Sequence, residues 1–214
     1  MHLADGTLSN QICTITAVGS AASIAFAASR ARPYLHRARL TRAALGAALV
    51  FGAQMINVPL FGGTGVHLIG AALLVVLAGP ALALLAMALI VAGQALLLND
   101  GGVAALGANI FNMGVAAVGA SWALLRVTRA SLGGRGGELA GVAVASAASV
   151  MAAVAVMSLE LALSGFPARE VFALTMTAHA PFAAWETVIT AGFVAVVLQA
   201  RSGAGVTAGG AGRN

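Results

Sequence analysis

The sequence predicts an all-α protein, a polytopic membrane bundle of about seven transmembrane helices. Hydrophobic residues make up 60% of the 214 positions, charged residues only 8%, and the mean hydropathy is +0.98. Soluble domains carry about 25% charged residues, so this composition excludes a soluble globular domain. The apolar residues fall in segments near the roughly 20 residues that a bilayer-spanning helix needs. The arginines lie mostly between alternate segments, as in a multi-pass protein.

Seven apolar segments can be drawn along the chain, at 9–29, 41–60, 66–79, 81–98, 103–125, 139–163 and 170–199. The third is short and ends at Gly79-Pro80, where a helix stops or turns. The last is long enough for a broken or partly re-entrant helix, and Pro181 is the expected break. The end of the chain is rich in Gly and Ala. We therefore expect one transmembrane domain over 1–200 and a disordered tail over 201–214.

The arginines predict the orientation of these segments. Ten of the eleven fall on one side, namely Arg30, Arg32, Arg37, Arg39, Arg42, Arg126, Arg129, Arg135, Arg201 and Arg213. Only Arg169 falls on the other side. Because cytoplasmic loops carry the excess of positive charge, the N-terminus is expected outside and the C-terminus in the cytoplasm. The net charge of +5 then reflects topology in the lipid bilayer, and no nucleic-acid partner is expected.

Motifs for several other chemistries are absent from the sequence. It contains no H-E-x-x-H of a metalloprotease, no Walker A motif for ATP and no G-x-S-x-G elbow. The length suits one bundle and leaves no room for a separate ATPase domain. Cys13 is the only cysteine, which excludes an internal disulfide.

The first two residues form a candidate metal chelate. The Met1 amine, the His2 amide nitrogen and His2 Nδ1 close a five-membered and then a six-membered ring around one ion. Planar nitrogen ligation is typical of Ni(II) or Cu(II). The segment lacks the basic n-region of a signal peptide. The large His2 side chain also disfavours removal of the initiator, so we expect the Met1 amine to be the true terminus.

His67 is the candidate for the fourth ligand. It follows glycines at 62, 63 and 65, which permit close approaches of the backbone. The predicted topology places its loop on the same outer side as Met1 and His2. A lone histidine at a membrane edge is more often a structural polar residue, but the chelate on the same side favours metal binding. Such binding is expected to weaken as pH falls, because the nitrogen donors must lose protons.

Three polar residues could fix the imidazoles of these ligands. A histidine ligand usually needs an acceptor for its second ring nitrogen, and Asp5, Asn57 or Asn109 could supply it. Hydrogen bonding between membrane helices is an equally good account of the two asparagines.

His179 and Glu186 offer a different function. They lie seven residues apart in the last segment and therefore share one helical face. Ionisable groups inside a membrane commonly mark a functional site. The pair could serve an intramembrane metal-dependent enzyme or a metal sensor, although a structural interhelical pair is the favoured interpretation.

Three blocks of the sequence resemble a known family. M-H-L-A-D-G at the start, Q-M-I-N-V-P-L-F-G-G-T-G-V-H-L-I-G-A-A-L at 54–73 and N-D-G-G-V-A-A-L-G-A-N-I-F-N-M-G at 99–114 are similar, in order, to blocks of the CbiM/NikM family. These proteins are the substrate-capture (S) components of cobalt and nickel energy-coupling-factor transporters. Beyond residue 126 the likeness is looser, chiefly A-H-A-P-F-A-A-W-E at 178–186. Val66 departs from the family, which often has Gly before the loop histidine.

The resemblance implies a seven-helix protein of the prokaryotic cell (inner) membrane whose N-terminal loop inserts into the bundle from outside. Such a protein is not an enzyme and uses no organic cofactor. Its transported substrate, Ni2+ or Co2+, would be held by Met1, His2 and His67. The expected partners are a membrane coupling (T) component, cytoplasmic ATPase subunits and, in many members, a small accessory membrane subunit. The donors are compatible with either metal, so nickel and cobalt both stay open.

Overall fold

The computed structural model describes residues 1–59 and 65–210, and it is helical except for loops and one short hairpin. The helices are α1 (Asn10–Ala31), α2 (Arg37–Gln54), α3 (Ala71–Ala78), α4 (Pro80–Leu97), α5 (Leu106–Ile110), α6 (Ala117–Ser131), α7 (Gly134–Leu163) and α8 (Ala168–Gly210). A 3-10 turn (Arg32–Tyr34) precedes α2, and a π-helical turn (Phe111–Ala116) joins α5 to α6. Strands β1 (Val58–Pro59) and β2 (Gly65–Val66) pair antiparallel, with Val58 opposite Val66.

Five helical stretches of the described chain are long and apolar enough to cross a bilayer: Asn10–Tyr34, Pro80–Leu97, Leu106–Ser131, Gly134–Leu163 and Ala168–Gln199. α2 also has 18 residues, but it carries arginines in its first two turns and is therefore not one of these five stretches. α3 has 8 residues and rises only about 12 Å, less than half of a hydrocarbon core about 30 Å thick. With α5 and α6 counted as one helix, the prediction of a multi-pass bundle of about seven helices is confirmed.

The helices on either side of His67 are shorter than predicted. α2 ends at Gln54 and not at 60, and α3 begins at Ala71 and not at 66. Gly70 caps α3 with a left-handed φ of 76°, and a Cβ there would collide with Val50. The chain before Gly70 is therefore extended, so His67 lies in a loop and not in the first turn of a helix. Glycines 62 and 63 lie outside the described residues.

The predicted break at Pro181 is wrong, because α8 continues through it. Proline removes one N–H donor, but membrane helices tolerate this loss where neighbouring groups satisfy the freed carbonyl. The backbone of α8 extends to Gly210, into the Gly/Ala-rich stretch, while the side chains from 200 onward lie outside the described part of the chain. The predicted disorder over 201–214 and the domain division stay predictions.

Small residues let α1 approach α5 closely at the end of the bundle that receives the N-terminus. A Cβ on Gly107 would overlap the backbone of Ala17, so the two helices touch at that point. Ser20 Oγ also donates a hydrogen bond of 2.7 Å to the Gly107 carbonyl. Close packing through small residues and hydroxyl bonds is typical of membrane bundles. This packing fixes the position of α5, the helix that contacts the N-terminal segment.

Candidate metal centre

The first three residues are buried in the bundle. Met1, His2 and Leu3 have only 1%, 4% and 0% of their surface exposed. Asn109, in α5, accepts a hydrogen bond from the Leu3 N–H at 2.8 Å and donates one to the Leu3 carbonyl at 3.0 Å. Because buried backbone groups need partners, this one side chain fixes the depth of the N-terminal segment.

The loop between α4 and α5 closes over the same segment. Gly102 N–H donates to the Leu3 carbonyl at 2.8 Å, and a Cβ at Gly102 would collide with the backbone of Ala4 and Asp5. Only glycine therefore permits this approach. Asp5 Oδ1 accepts from the N–H of Ala104 at 2.8 Å and that of Ala105 at 3.3 Å, just before α5 begins. Residues 3–5 and this loop thus hold each other in place.

The buried terminus lies against the loop that carries His67. The Met1 amine donates a hydrogen bond to the Gly65 carbonyl. The imidazoles of His2 and His67 stack, with ring centroids 4.8 Å apart and planes inclined by 28°. The structure therefore brings together the three residues that the sequence predicts as ligands.

The hydrogen bonds of His67 assign its tautomer. Nδ1 lies 2.8 Å from the Leu68 carbonyl, so it must carry the proton and donate it. Nε2 is buried and meets no hydrogen-bond partner among the residues the structure describes. Its lone pair is the donor that a metal ligand needs, since a ligating histidine usually donates its other ring N–H to such an acceptor.

His2 faces a carboxylate. Its Nδ1 lies 3.3 Å from Asp100 Oδ1, and its Nε2 is buried with no partner in the described part of the chain. The adjacent imidazole lowers the pKa of Asp100. Asp100 therefore keeps a negative charge beside the site, where it favours a cation.

Burial sets the protonation of the nitrogen donors. It lowers the pKa of the Met1 amine from 8.0 to about 5, against the opposing charge of Asp100. Burial also lowers the pKa of His67 well below its usual value, and the neighbouring amine and His2 add to the effect. Desolvation acts this way because it penalises the charged form of a base. At neutral pH both groups are unprotonated and can donate their lone pairs.

The acceptors beside the two imidazoles are Asp100 and the Leu68 carbonyl. The predicted candidates make other contacts: Asp5 and Asn109 bind backbone groups, and Asn57 is exposed beyond the end of α2. Their predicted role toward the imidazoles stays a prediction. Asp100 is not among the acceptors that the sequence predicts, although it is the one acid in the loop between α4 and α5.

Glu186 and His179 do not bond to each other in the part of the chain that the structure describes. Glu186 accepts hydrogen bonds from the N–H groups of Ile69 at 2.5 Å and Gly70 at 3.0 Å. His179 Nδ1 lies 2.8 Å from the Thr175 carbonyl of its own helix. Glu186 therefore holds the backbone just beyond His67, a structural role toward the site that periodicity alone did not show.

The candidate donors include the chain terminus. No group of three or more His, Cys, Asp or Glu side chains close enough to hold a metal occurs within residues 1–59 and 65–210. The nitrogen atoms that lie together here are those of two imidazoles, the Met1 amine and the His2 backbone amide. Such a set, free of thiolate, suits a divalent metal of the nickel, cobalt or copper type.

Comparisons with known proteins identify the family. The model of the family CbiM, described as a cobalt uptake substrate-specific transmembrane region, matches residues 2–204. A relative from Haloquadratum walsbyi, provisionally described as a metal transport protein, is 33% identical over 207 residues, which cover 94% of this chain and 91% of the relative. The fused nickel transport protein NikMN of Rhodobacter capsulatus is 34% identical over 160 residues, which cover 72% of this chain and 46% of that longer protein.

A solved structure supports the same assignment. The crystal structure of a truncated transition metal transporter is similar with a TM-score of 0.86 and 29% sequence identity, and the match covers 93% of this chain and 99% of that one. The predicted resemblance is therefore confirmed. The family is a transporter component, so the alternative of an enzyme built on His179 and Glu186 is excluded. The chain belongs to the CbiM family and is a multi-pass membrane component of cobalt or nickel transport.

Proposed function

We propose that this chain captures Ni2+ or Co2+ for an ATP-driven energy-coupling-factor transporter, with Met1, His2 and His67 as the ligands. The observation that carries the proposal is the meeting of a buried α-amine with two stacked imidazoles inside the bundle. Burying these three groups costs free energy unless a partner uses them, because polar groups lose their water. A divalent cation is the partner that this set of nitrogen atoms fits.

The ligand atoms are the Met1 amine, the ionised His2 amide nitrogen, His2 Nδ1 and His67 Nε2. His67 is already arranged for this role, since its Nδ1–H is bound to the Leu68 carbonyl. His2 must turn Nδ1 from Asp100 toward the amine, because the six-membered chelate ring uses that atom. Near-planar nitrogen ligation favours Ni2+, and Co2+ accepts the same donors. The names of the relatives, which mention nickel and cobalt uptake, support both substrates.

The energy for release would come from partners. The sequence contains no Walker A motif, so ATP hydrolysis belongs to cytoplasmic ATPase subunits coupled through a membrane T component, with a small accessory membrane subunit as a third partner. The name of the fused NikMN relative supports a further subunit. The arginine-rich face would be cytoplasmic by the positive-inside rule, and the metal centre would open to the outside.

Nickel uptake into cells tests this function. A strain without nickel uptake of its own would express the chain together with the T component, the accessory subunit and the ATPases. We expect accumulation of radioactive nickel only with the full set. Replacing the Walker A lysine of the ATPases by alanine should remove it. Accumulation by the chain alone, or accumulation that ignores the lysine variant, would contradict the proposal.

The lowered amine pKa predicts how many protons leave when the metal binds. At pH 7 the buried Met1 amine, with a pKa of about 5, is already unprotonated, whereas an ordinary amine with a pKa of 8.0 is mostly protonated. The protein should therefore release about one proton fewer per Ni2+ than the free tripeptide Met-His-Leu. Calorimetry at pH 7 in buffers of different ionisation enthalpy measures this number. Below about pH 5 the amine of the folded protein takes up a proton, so the affinity for Ni2+ should decrease in that range. Equal proton release by protein and peptide would show that the pKa of the Met1 amine is not lowered and would contradict this prediction.

A further inference from the structure

A second feature lies at the other end of α1, on the arginine-rich side of the bundle. There a cleft with a volume of about 1190 Å³ opens between the second half of α1, the turn from α3 to α4 and the helix α6. It shares no residue with the metal centre. The Gly79-Pro80 turn lines it, and Gly79 has a positive φ of 84° that lets the chain reverse there.

The mouth of the cleft is cationic. Arg30, Arg39 and Arg126 line it. Each guanidinium lies over an aromatic ring: Arg30 over Phe26 at 5.0 Å, Arg39 over Tyr34 at 4.5 Å and Arg126 over Trp122 at 5.7 Å. No carboxylate pairs with these three arginines in the described chain, where the acid–base pairs are His2–Asp100 and Arg129–Glu138. Arg39 Nε is also buried without a hydrogen-bond partner there. The positive charges of the mouth are therefore not neutralised by a carboxylate of the described chain.

The rest of the cleft is an apolar trough. Ala22, Ala27, Leu84 and Val118 line it, as do the exposed aromatic residues Phe26 and Trp122. Along the π-helical turn and α6 it extends from Val115 to Arg126, which is about 16 Å at 1.5 Å per residue. That length is close to half of a hydrocarbon core about 30 Å thick, the depth of one leaflet.

We propose that this cleft binds an anionic phospholipid of the leaflet on the arginine-rich side. The phosphate of the headgroup contacts the three arginines, and one acyl chain lies along the trough. Basic pockets between transmembrane helices recognise anionic headgroups in this way. Tyr34 and Trp122 lie at the level of the arginines, where amphipathic aromatic rings meet the headgroups. An apolar helix of a partner protein could pack in the trough, but it would give the three arginines no anionic partner. An anionic lipid provides both interactions and is therefore the better occupant.

Native mass spectrometry of the full chain in detergent micelles tests the proposal. Phosphatidylglycerol and phosphatidylcholine with identical acyl chains are added to the wild type, to R30Q/R39Q/R126Q and to R32Q/R37Q/R42Q. The last variant is the matched control, because it removes three exposed arginines of the same side that do not line the cleft. The wild type and the control should bind phosphatidylglycerol about ten-fold or more in preference to phosphatidylcholine. R30Q/R39Q/R126Q should lose that preference. An equal loss in both triple variants would show a diffuse surface charge and overturn the site.

A second variant tests the trough without touching an arginine. Gly119 lines the trough and a Cβ there meets nothing within 4 Å, so Gly119→Leu is chosen to place an apolar side chain at that position. We expect it to elute as a single monodisperse species and to lose most of the bound phosphatidylglycerol. Phosphatidylglycerol retained at the wild-type level by both Gly119→Leu and R30Q/R39Q/R126Q would overturn the proposal. Soluble glycerol phosphate should not displace the lipid at equal concentration, and displacement would assign the mouth to a free phosphate instead.

Discussion

Adding two residues, Gly-Ser, before Met1 is expected to abolish tight Ni2+ binding. The extension turns the primary amine into a peptide amide and removes the first chelate ring. It also has no room, since Met1 is 1% exposed and its amine contacts the Gly65 carbonyl. Loss of a mere hydrogen-bonding partner of a ligand costs about 10- to 100-fold in affinity, so we expect a loss of more than about 100-fold here.

Isothermal titration of the detergent-purified protein with Ni2+ measures this loss. The matched control carries the same two residues after Asn214, far from Met1 in the chain. It should bind like the wild type, because its α-amine is unchanged. If the N-terminally extended protein kept the affinity of the control, the first nitrogen would not be a ligand and the proposed site would be wrong.

The buried terminus explains why so much of the site could be predicted from the sequence. Chelation by Met1 and His2 depends only on covalent neighbours, so the order amine, amide, imidazole is sufficient to predict it. Bringing His67 to the same site needed one more inference, the count of membrane crossings. That count predicts only a common side of the bundle, and the structure places the two imidazoles 4.8 Å apart. The ligand role of these residues stays a prediction.

The supporting contacts could not be predicted in the same way. Asp100 meets His2 from a loop nearly a hundred residues away, and Glu186 binds the N–H of Ile69 across 117 positions. Periodicity places Glu186 and His179 on one face of α8, but it does not say which element lies opposite that face. The opposite element is the backbone before α3, so the carboxylate fixes the His67 loop instead of meeting an imidazole.

The predicted boundaries of α2 and α3 are wrong for a different physical reason. Hydropathy counts apolar side chains whether the backbone is helical or extended. Residues 55–60 and 66–70 are mostly apolar, so hydropathy includes them in the membrane segments, yet β1 and β2 take part of them. The left-handed Gly70 and the short hairpin decide this local structure. Extended backbone here is what lets His67 Nδ1 reach the Leu68 carbonyl while Nε2 stays free.

Replacing His67 by alanine is expected to weaken Ni2+ binding by about 10- to 100-fold. Loss of a ligand's hydrogen-bonding partner alone costs that much, and loss of the ligand should cost no less. The chelate formed by Met1 and His2 stays intact, so the loss should be smaller than that caused by the N-terminal extension. His36→Ala is the matched control, because His36 is exposed at the start of α2 and should not affect binding.

Combining the two changes separates a shared site from two independent ones. Residues that bind one ion act together, so their effects are not additive. Once the extension has removed the first ring, His67→Ala should cost little more in the same titration. The visible absorption of bound Ni2+ provides a second measure: His67→Ala should shift the band of planar nitrogen ligation, and His36→Ala should leave it unchanged. Fully additive losses, or a band unaffected by His67→Ala, would place His67 outside the metal's ligands.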